Sequence, residues 1–317
     1  MAPVIIAHRG ASAYLPEHTL PAKALAYAMG ADFLEQDVVA TRDDELVVLH
    51  DIYLDRVTDV ATRYPDRRRP DRRYYVRDFD LEEVKALNVW ERVKADGNAV
   101  FPGRFPVRSG HFRIHTLDEE LTLIRSLNET TGGTTGIYPE IKRPAWHREE
   151  GVDIAPLFLS VLDKFDYRNR DDNVYVQCFD AGELERLRHD LGCKIKLIQL
   201  IGENTWGEAQ TDYKALRTDA GLRQLAQTVD GIGPWTKQLY ELGHSAGAPV
   251  STGMVMAAQE LGLAVHPYTF RADDLPPGFA TFEELVSFFV GDLAIDGLFT
   301  DFPDRARKIL TDLRAHG

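Results

Sequence analysis

Long apolar runs are absent from this chain of 317 residues. The first run, Val4 to Ala7, ends at once in charge, and no stretch approaches the roughly 18 to 20 residues that a bilayer-spanning helix needs. The sequence therefore predicts no stable membrane insertion. Positive charge is in deficit: 37 Lys and Arg stand against 50 Asp and Glu, for a formal net charge of -13. An acidic surface repels phosphate backbones, so nucleic acid is not the expected partner. One basic run departs from this balance, Arg67, Arg68, Arg69, Arg72 and Arg73, and its interleaving with Asp66, Pro70 and Asp71 reads as a solvated loop. Cysteine is scarce. Cys178 lies near the C-terminal end of the run Val174 to Phe179 and Cys193 at the start of the run Lys194 to Ile201. In parallel strands these are opposite ends of a sheet, beyond the Cα separation of about 7 Å that a disulfide tolerates, so two free thiols are expected. No Cys or His stands at zinc-finger spacing. A glycine-rich dinucleotide fingerprint is missing after the first strand, where Gly10-Ala11-Ser12-Ala13 stands, which argues against an open, doubly wound sheet.

What the chain does contain is an alternation. Apolar runs of strand length (Val4 to Ala7, Gly136 to Ile141, Val174 to Phe179) each precede a segment of helical period (Leu20 to Met29, Ile154 to Phe165, Ala181 to Leu191). Further runs follow at Ile195 to Ile201, Gly231 to Gly233, Leu263 to Pro267 and Gly297 to Thr300. Repeated βα units imply a parallel sheet, and about eight of them, with charge gathered after the strands, predict one closed (β/α)8 TIM barrel over residues 1–317 with its site at the C-terminal strand ends. Two places break the rhythm. The link Thr41 to Glu45 is too short for a parallel crossover, so Leu46 to His50 is expected to fold back as a hairpin that sets His50 across from Asp37. From about 52 to 114 barrel periodicity lapses, which predicts an inserted segment over the C-terminal mouth, with a helix near Asp80 to Asn88.

The chemistry-bearing residues sit at strand ends. Glu35 and Asp37 are spaced by two and therefore share one strand face. Glu140 stands at the matching level of another unit, and three carboxylates converging there would repel unless a cation neutralised them. Oxygen-only ligation selects Ca2+ or Mg2+. His8 and His50, each beside a charged residue, form a candidate acid-base pair. Arg9 and Lys142 are the candidate clamps for an anionic substrate. Phe179, Trp235, Tyr268 and Phe270 follow strands as candidates for a substrate wall.

Six ordered blocks, I-I-A-H-R-G-A-S-A-Y-L-P-E-H-T-L, F-L-E-Q-D-V, V-V-L-H-D, G-I-Y-P-E-I-K, V-H-P-Y-T-F-R and G-L-F-T-D-F-P-D, run from Val4 to Asp304. Together they resemble the glycerophosphodiester phosphodiesterase family, and most closely its bacterial periplasmic branch, including a His at position 18 where many relatives carry Asn. The resemblance implies a (β/α)8 barrel with an insertion after His50 and metal-dependent hydrolysis of glycerophosphodiesters to sn-glycerol 3-phosphate and an alcohol. It implies one divalent cation on Glu35, Asp37 and Glu140, with Ca2+ favoured and Mg2+ the alternative. His8 and His50 would be acid and base, Arg9 and Lys142 would bind phosphate oxygens, and Glu17 would orient neighbouring groups and the substrate glycerol. The implied chemistry is attack by the glycerol 2-hydroxyl through a cyclic phosphate, with broad head-group tolerance. The same likeness implies a periplasmic protein whose leader has been removed upstream of Met1-Ala2-Pro3; a cytoplasmic home is the alternative. Small-molecule diesters are the expected partners, and a homodimer stays open. The competing readings are a phospholipase acting on intact lipid, for which the insertion lacks an amphipathic apolar helix, and a non-catalytic phosphate-ester binder, against which both histidines and all three carboxylates count.

Overall fold

The computed structural model describes residues 3–243 and 247–316; Met1 and Ala2, on which the reading of a removed leader rests, lie outside them. The described residues form eleven strands: β1 (Val4–Ala7), β2 (Phe33–Ala40), β3 (Leu46–Val48), β4 (Gly136–Ile141), β5 (Tyr175–Cys178), β6 (Lys196–Ile201), β7 (Gly231–Pro234), β8 (Tyr240–Leu242), β9 (Pro249–Ser251), β10 (Ala264–Val265) and β11 (Gly297–Thr300). Eight of them pair in the order β10-β7-β6-β5-β4-β2-β1-β11, every pair parallel. The two ends of this path meet. Asp296 N donates to Val265 O at 3.1 Å, Phe299 N to Pro267 O at 3.1 Å, and Phe270 N to Phe299 O at 2.8 Å. The result is a nearly closed barrel of eight strands, in agreement with the sequence reading.

Helices follow the strands on the outside, among them Leu20–Ala28, Leu117–Thr131, Ile154–Lys164, Asp219–Leu225 and Pro303–His316. With helices on one side and a filled barrel on the other, strands such as β11 are buried along their whole length, which is why they read as near-continuous apolar runs. The longest helix shows its start and stop in sequence: Thr116 and Glu119 form a capping box, and Gly132 ends it at φ 70°. Inside the barrel, Ile6, Phe33, Tyr138, Ile198 and Phe299 pack as a floor beneath the mouth. Cys178 and Cys193 are both free and buried. No helix among the described residues is long and apolar enough to cross a membrane.

β3 folds back antiparallel on β2, but its register corrects one expectation. Val38 pairs with Val48 and Ala40 with Leu46, so Leu49, not His50, lies across from Asp37. The reason is the loop: Thr41 N bonds Glu45 O at 2.9 Å, closing three residues centred on Asp43, with Asp44 at φ 63°. His50 emerges one residue later, at the rim.

Residues 52–114 carry the helices Val60–Arg63 and Leu81–Ala86 and a second hydrophobic core in which Leu54, Val60, Val76, Phe79 and Val84 pack against Val39 and Val47 of the β2/β3 pair. Three of the five arginines of the basic run are engaged in ion pairs, while Arg68 and Arg72 are exposed. Arg67 pairs with Glu83 at 3.0 Å, Arg69 with Asp78 at 2.8 Å and Glu150 at 2.7 Å, and Arg73 with Asp55 at 3.1 Å.

Candidate active site

β1 ends at Ala7, and the chain then turns sharply. Gly10 N bonds Ala7 O at 3.1 Å, Arg9 takes φ 59° and Gly10 φ 86°. A Cβ on Gly10 would stand 2.9 Å from backbone atoms of Ala22, so glycine is required here both for conformation and for the close approach of the following helix. The turn delivers His8 and Arg9 to a cavity of about 220 Å3 at the C-terminal ends of the strands. Period-2 alternation along β2 sends Glu35 and Asp37 into the same cavity, while Gln36 points the other way and bonds Glu120 at 2.8 Å. β4 adds Glu140 and, one residue past its end, Lys142; His50 comes from the rim beyond β3. Phe179, Trp235 and Tyr268 form the apolar side.

Two of the expected residues are elsewhere. Glu17 is not among the residues lining the cavity; it lies behind Arg9, accepting from Arg9 Nη1 at 3.0 Å and from Arg92 at 2.6 and 2.9 Å. Phe270, expected as a wall candidate, is fully buried and packs on Phe289 at 5.0 Å between ring centroids, because at that position the side chain faces the helical layer.

Each histidine has a carboxylate on Nδ1. His8 Nδ1 is 2.6 Å from Asp301 Oδ1, and His50 Nδ1 is 2.6 Å from Asp51 Oδ1. A proton on Nδ1 satisfies both bonds and leaves Nε2 with its lone pair. Burial, reinforced by Arg9, lowers His8 to about 4 although Asp301 pulls upward. Burial, then Arg9 and Lys142, lowers His50 to about 3. In the free protein both rings are thus held toward the neutral form.

The carboxylates are under opposing pressure. Burial and the neighbouring Asp37 push Glu35 up to about 8, and burial raises Glu140 against the pull of Lys142. Burial would also raise Asp37, but Lys142 and His50 hold it well below the usual range. Lys142 Nζ sits 2.9 Å from Glu140 Oε1 and 3.6 Å from Asp37 Oδ1. Asp37 Oδ1 is buried with no hydrogen-bond partner, whereas Oδ2 is 2.6 Å from His18 Nε2. Glu35 accepts from Arg9 N at 2.5 Å. Ligand atoms of His18, Glu35 and Asp37 lie within 4.8 Å of one another. Crowded buried oxygens, one of them orphaned, fit a divalent cation; Glu140 lies outside that tight group, drawn to Lys142.

Sequence reasoning gave no role to His18, Asp51, Arg92, Arg104, Gln177, Trp206, Arg271 or Asp301. His18 and Asp301 stood inside quoted blocks, and Asp51 is adjacent to His50. Arg271, the last residue of the quoted block V-H-P-Y-T-F-R, lines the cavity too, and Gln177 and Trp206 join it from positions that no local pattern distinguishes.

A family model for the glycerophosphoryl diester phosphodiesterase family matches residues 8–305. The chain is 41% identical to the glycerophosphodiester phosphodiesterase of Haemophilus influenzae, over 98% of this chain and 90% of that one. It is 39% identical to that of Treponema pallidum, over 97% and 91%. In fold it is similar to the crystal structure of a Silicibacter pomeroyi putative glycerophosphoryl diester phosphodiesterase, with TM-score 0.70 and 21% identity over 99% and 94% of the two chains. It is similar also to an Oleispira antarctica phosphodiesterase in complex with the product sn-glycerol-3-phosphate, with TM-score 0.65 and 19% identity over 98% and 97%. With the matched model spanning both histidines, every carboxylate of the cavity and Lys142, the chain belongs to the glycerophosphoryl diester phosphodiesterase family.

Proposed function

We propose that this enzyme hydrolyses glycerophosphodiesters to sn-glycerol 3-phosphate and an alcohol, with His8 and His50 as the proton-transfer pair. The observation that carries this reading is the convergence, in one cavity, of two imidazoles each held by an aspartate, with three cationic side chains, Arg9, Lys142 and Arg271, and three buried carboxylates. Glu35, Asp37 and Glu140 would hold one divalent cation, Ca2+ by preference and Mg2+ otherwise. When bound it supplies positive charge to the phosphate and makes a nearby hydroxyl more acidic.

The chain's own groups do the rest. Arg9 and Lys142 draw the anionic phosphate into an otherwise acidic protein and balance charge developing on its oxygens. One imidazole takes the proton of the glycerol 2-hydroxyl on its Nε2 as that oxygen bonds to phosphorus; the other, which the phosphate anion beside it favours as the imidazolium, gives its Nε2 proton to the alcohol oxygen as its P–O bond breaks. Water then opens the cyclic phosphate with the proton roles exchanged, giving sn-glycerol 3-phosphate. Phe179 and Trp235 form the apolar side of the cavity against which the glycerol or the departing group rests. A wall without a dedicated head-group partner supports turnover of choline, ethanolamine, glycerol and inositol diesters alike. Strict dependence on choline would refute that tolerance. The periplasmic setting rests on likeness to that branch and is tested by fractionating native cells.

Release of sn-glycerol 3-phosphate from glycerophosphocholine, lost in EDTA and restored by Ca2+, is the expected result. Tight binding without turnover would overturn the reading.

A further inference from the structure

The insertion does more than flank the mouth. Arg92 is buried and Arg104 tucks its side chain inward, and each ends on an aspartate that holds a histidine. Arg92 Nη1 donates to Asp51 Oδ2 at 2.6 Å, while Asp51 Oδ1 holds His50 Nδ1. Arg104 Nη2 donates to Asp301 Oδ2 at 2.7 Å, while Asp301 Oδ1 holds His8 Nδ1. The two arrangements are alike: histidine, one carboxylate oxygen, the other carboxylate oxygen, guanidinium.

Both arginines are themselves fixed. Arg92 grips Glu17 with Nη2 at 2.6 Å and Nε at 2.9 Å, and Glu17 in turn accepts from Arg9 at 3.0 Å. Arg104 grips Asp273 with Nε at 2.8 Å and Nη2 at 3.0 Å, and its guanidinium lies 3.8 Å from the Phe101 ring centroid.

We infer that the inserted segment completes the catalytic site, with Arg92 and Arg104 as positioning residues that lock Asp51 and Asp301 so that His50 and His8 present Nε2 to the substrate. This rests on the proposed acid-base roles of the two histidines and adds to them a source of their orientation. A carboxylate bonded through one oxygen only is free to rotate about its Cβ–Cγ bond; a donor on the second oxygen, from a guanidinium whose fork is itself anchored on Glu17 or Asp273, removes that freedom. A lysine at either position keeps the charge but not the fork, and one ammonium on a flexible stem does not hold two carboxylates in fixed geometry.

The two arms are unequal, and that asymmetry sets them apart from mere ballast. Asp51 Oδ2 has Arg92 as its hydrogen-bond partner, whereas Asp301 Oδ2 also accepts from Arg271 Nε at 2.7 Å. Losing Arg92 therefore frees its aspartate, and losing Arg104 does not.

The test compares Arg92→Lys and Arg104→Lys with wild type on glycerophosphocholine in saturating Ca2+. Wild-type turnover is the control: without it the functional reading fails, and this inference with it. Given wild-type turnover, Arg92→Lys should lower kcat roughly 10- to 100-fold with KM within about threefold, and Arg104→Lys should lower kcat much less. Unchanged kcat in a folded Arg92→Lys, or equal losses in both variants that track their thermal stability, would overturn the inference. If Arg92→Lys does not fold, 15N spectra of wild type decide. A His50 ring protonated on Nδ1 with slowly rotating Arg92 guanidinium signals supports the lock, and an Nε2-protonated His50 or a freely rotating Arg92 overturns it.

Discussion

His18 offers one ring nitrogen to one oxygen of Asp37 and leaves the other oxygen orphaned in the cavity. Burial lowers this imidazole to about 4, so at neutral pH it is an uncharged donor through Nε2 rather than a competing cation. The consequence is a carboxylate whose free Oδ1 is directed by its neighbour. His18→Ala should weaken Ca2+ binding roughly 10- to 100-fold by titration calorimetry, while His18→Asn, which keeps a donor, should stay within about threefold of wild type. Unchanged affinity in the alanine variant would remove the positioning role. At this scale the sequence was legible where chemistry follows local spacing: the two-residue step put Glu35 and Asp37 on one face. It was silent where the partner comes from elsewhere in the chain. His18 meets Asp37 from 19 residues away, and Asp301 meets His8 from 293 away, and no periodicity encodes either pairing.

The element that aims the site is the turn after β1. Its geometry depends on a glycine at φ 86° whose missing side chain admits the backbone of Ala22. Gly10→Ala combines an unfavourable backbone conformation with a steric clash, and it should cost on the order of 2 to 3 kcal/mol in urea unfolding together with most of the activity. A variant as stable and active as wild type would show that the turn relaxes freely. Apolar runs announced β1, β4 and β11 to the residue, because buried parallel strands are apolar on both faces. The β3 register was off by one, since it depends on which residues close a three-residue loop. The small β8/β9 hairpin was not foreseen: residues such as Leu242 and Val250 are half exposed and give no buried face to read.

Among the described residues, desolvation lowers four buried histidines, His8, His18, His147 and His266, to about 4 and the partly buried His50 to about 3. The ordinary value is 6.5, so between about 4 and 6.5 the unfolded chain binds protons that the folded one refuses. The stability these rings contribute is full above pH 6.5 and is lost as pH falls toward 4. Glu91, pushed up to about 8 by burial and Glu17, slopes the opposite way. Glu35 and Glu140 do so too, unless a bound cation keeps them ionised. With Ca2+ saturating, the urea midpoint should therefore fall steadily from pH 7 to pH 5, and a flat profile would contradict the neutral-histidine account. Barrel closure was legible at this scale from the number of βα units, whereas the reach of the insertion into the site was not, since Arg92 and Arg104 look like any other exposed arginine until the chain is folded.

The most direct measurement follows phosphorus by 31P NMR in glycerophosphocholine with wild type, His8→Ala and His50→Ala, each with Ca2+ and again with EDTA. The account predicts sn-glycerol 3-phosphate from wild type with Ca2+, none with EDTA, and kcat lowered roughly 10²- to 10⁴-fold in each histidine variant while Ca2+ affinity is kept. Wild-type turnover in EDTA, or normal kcat in both histidine variants, would contradict it.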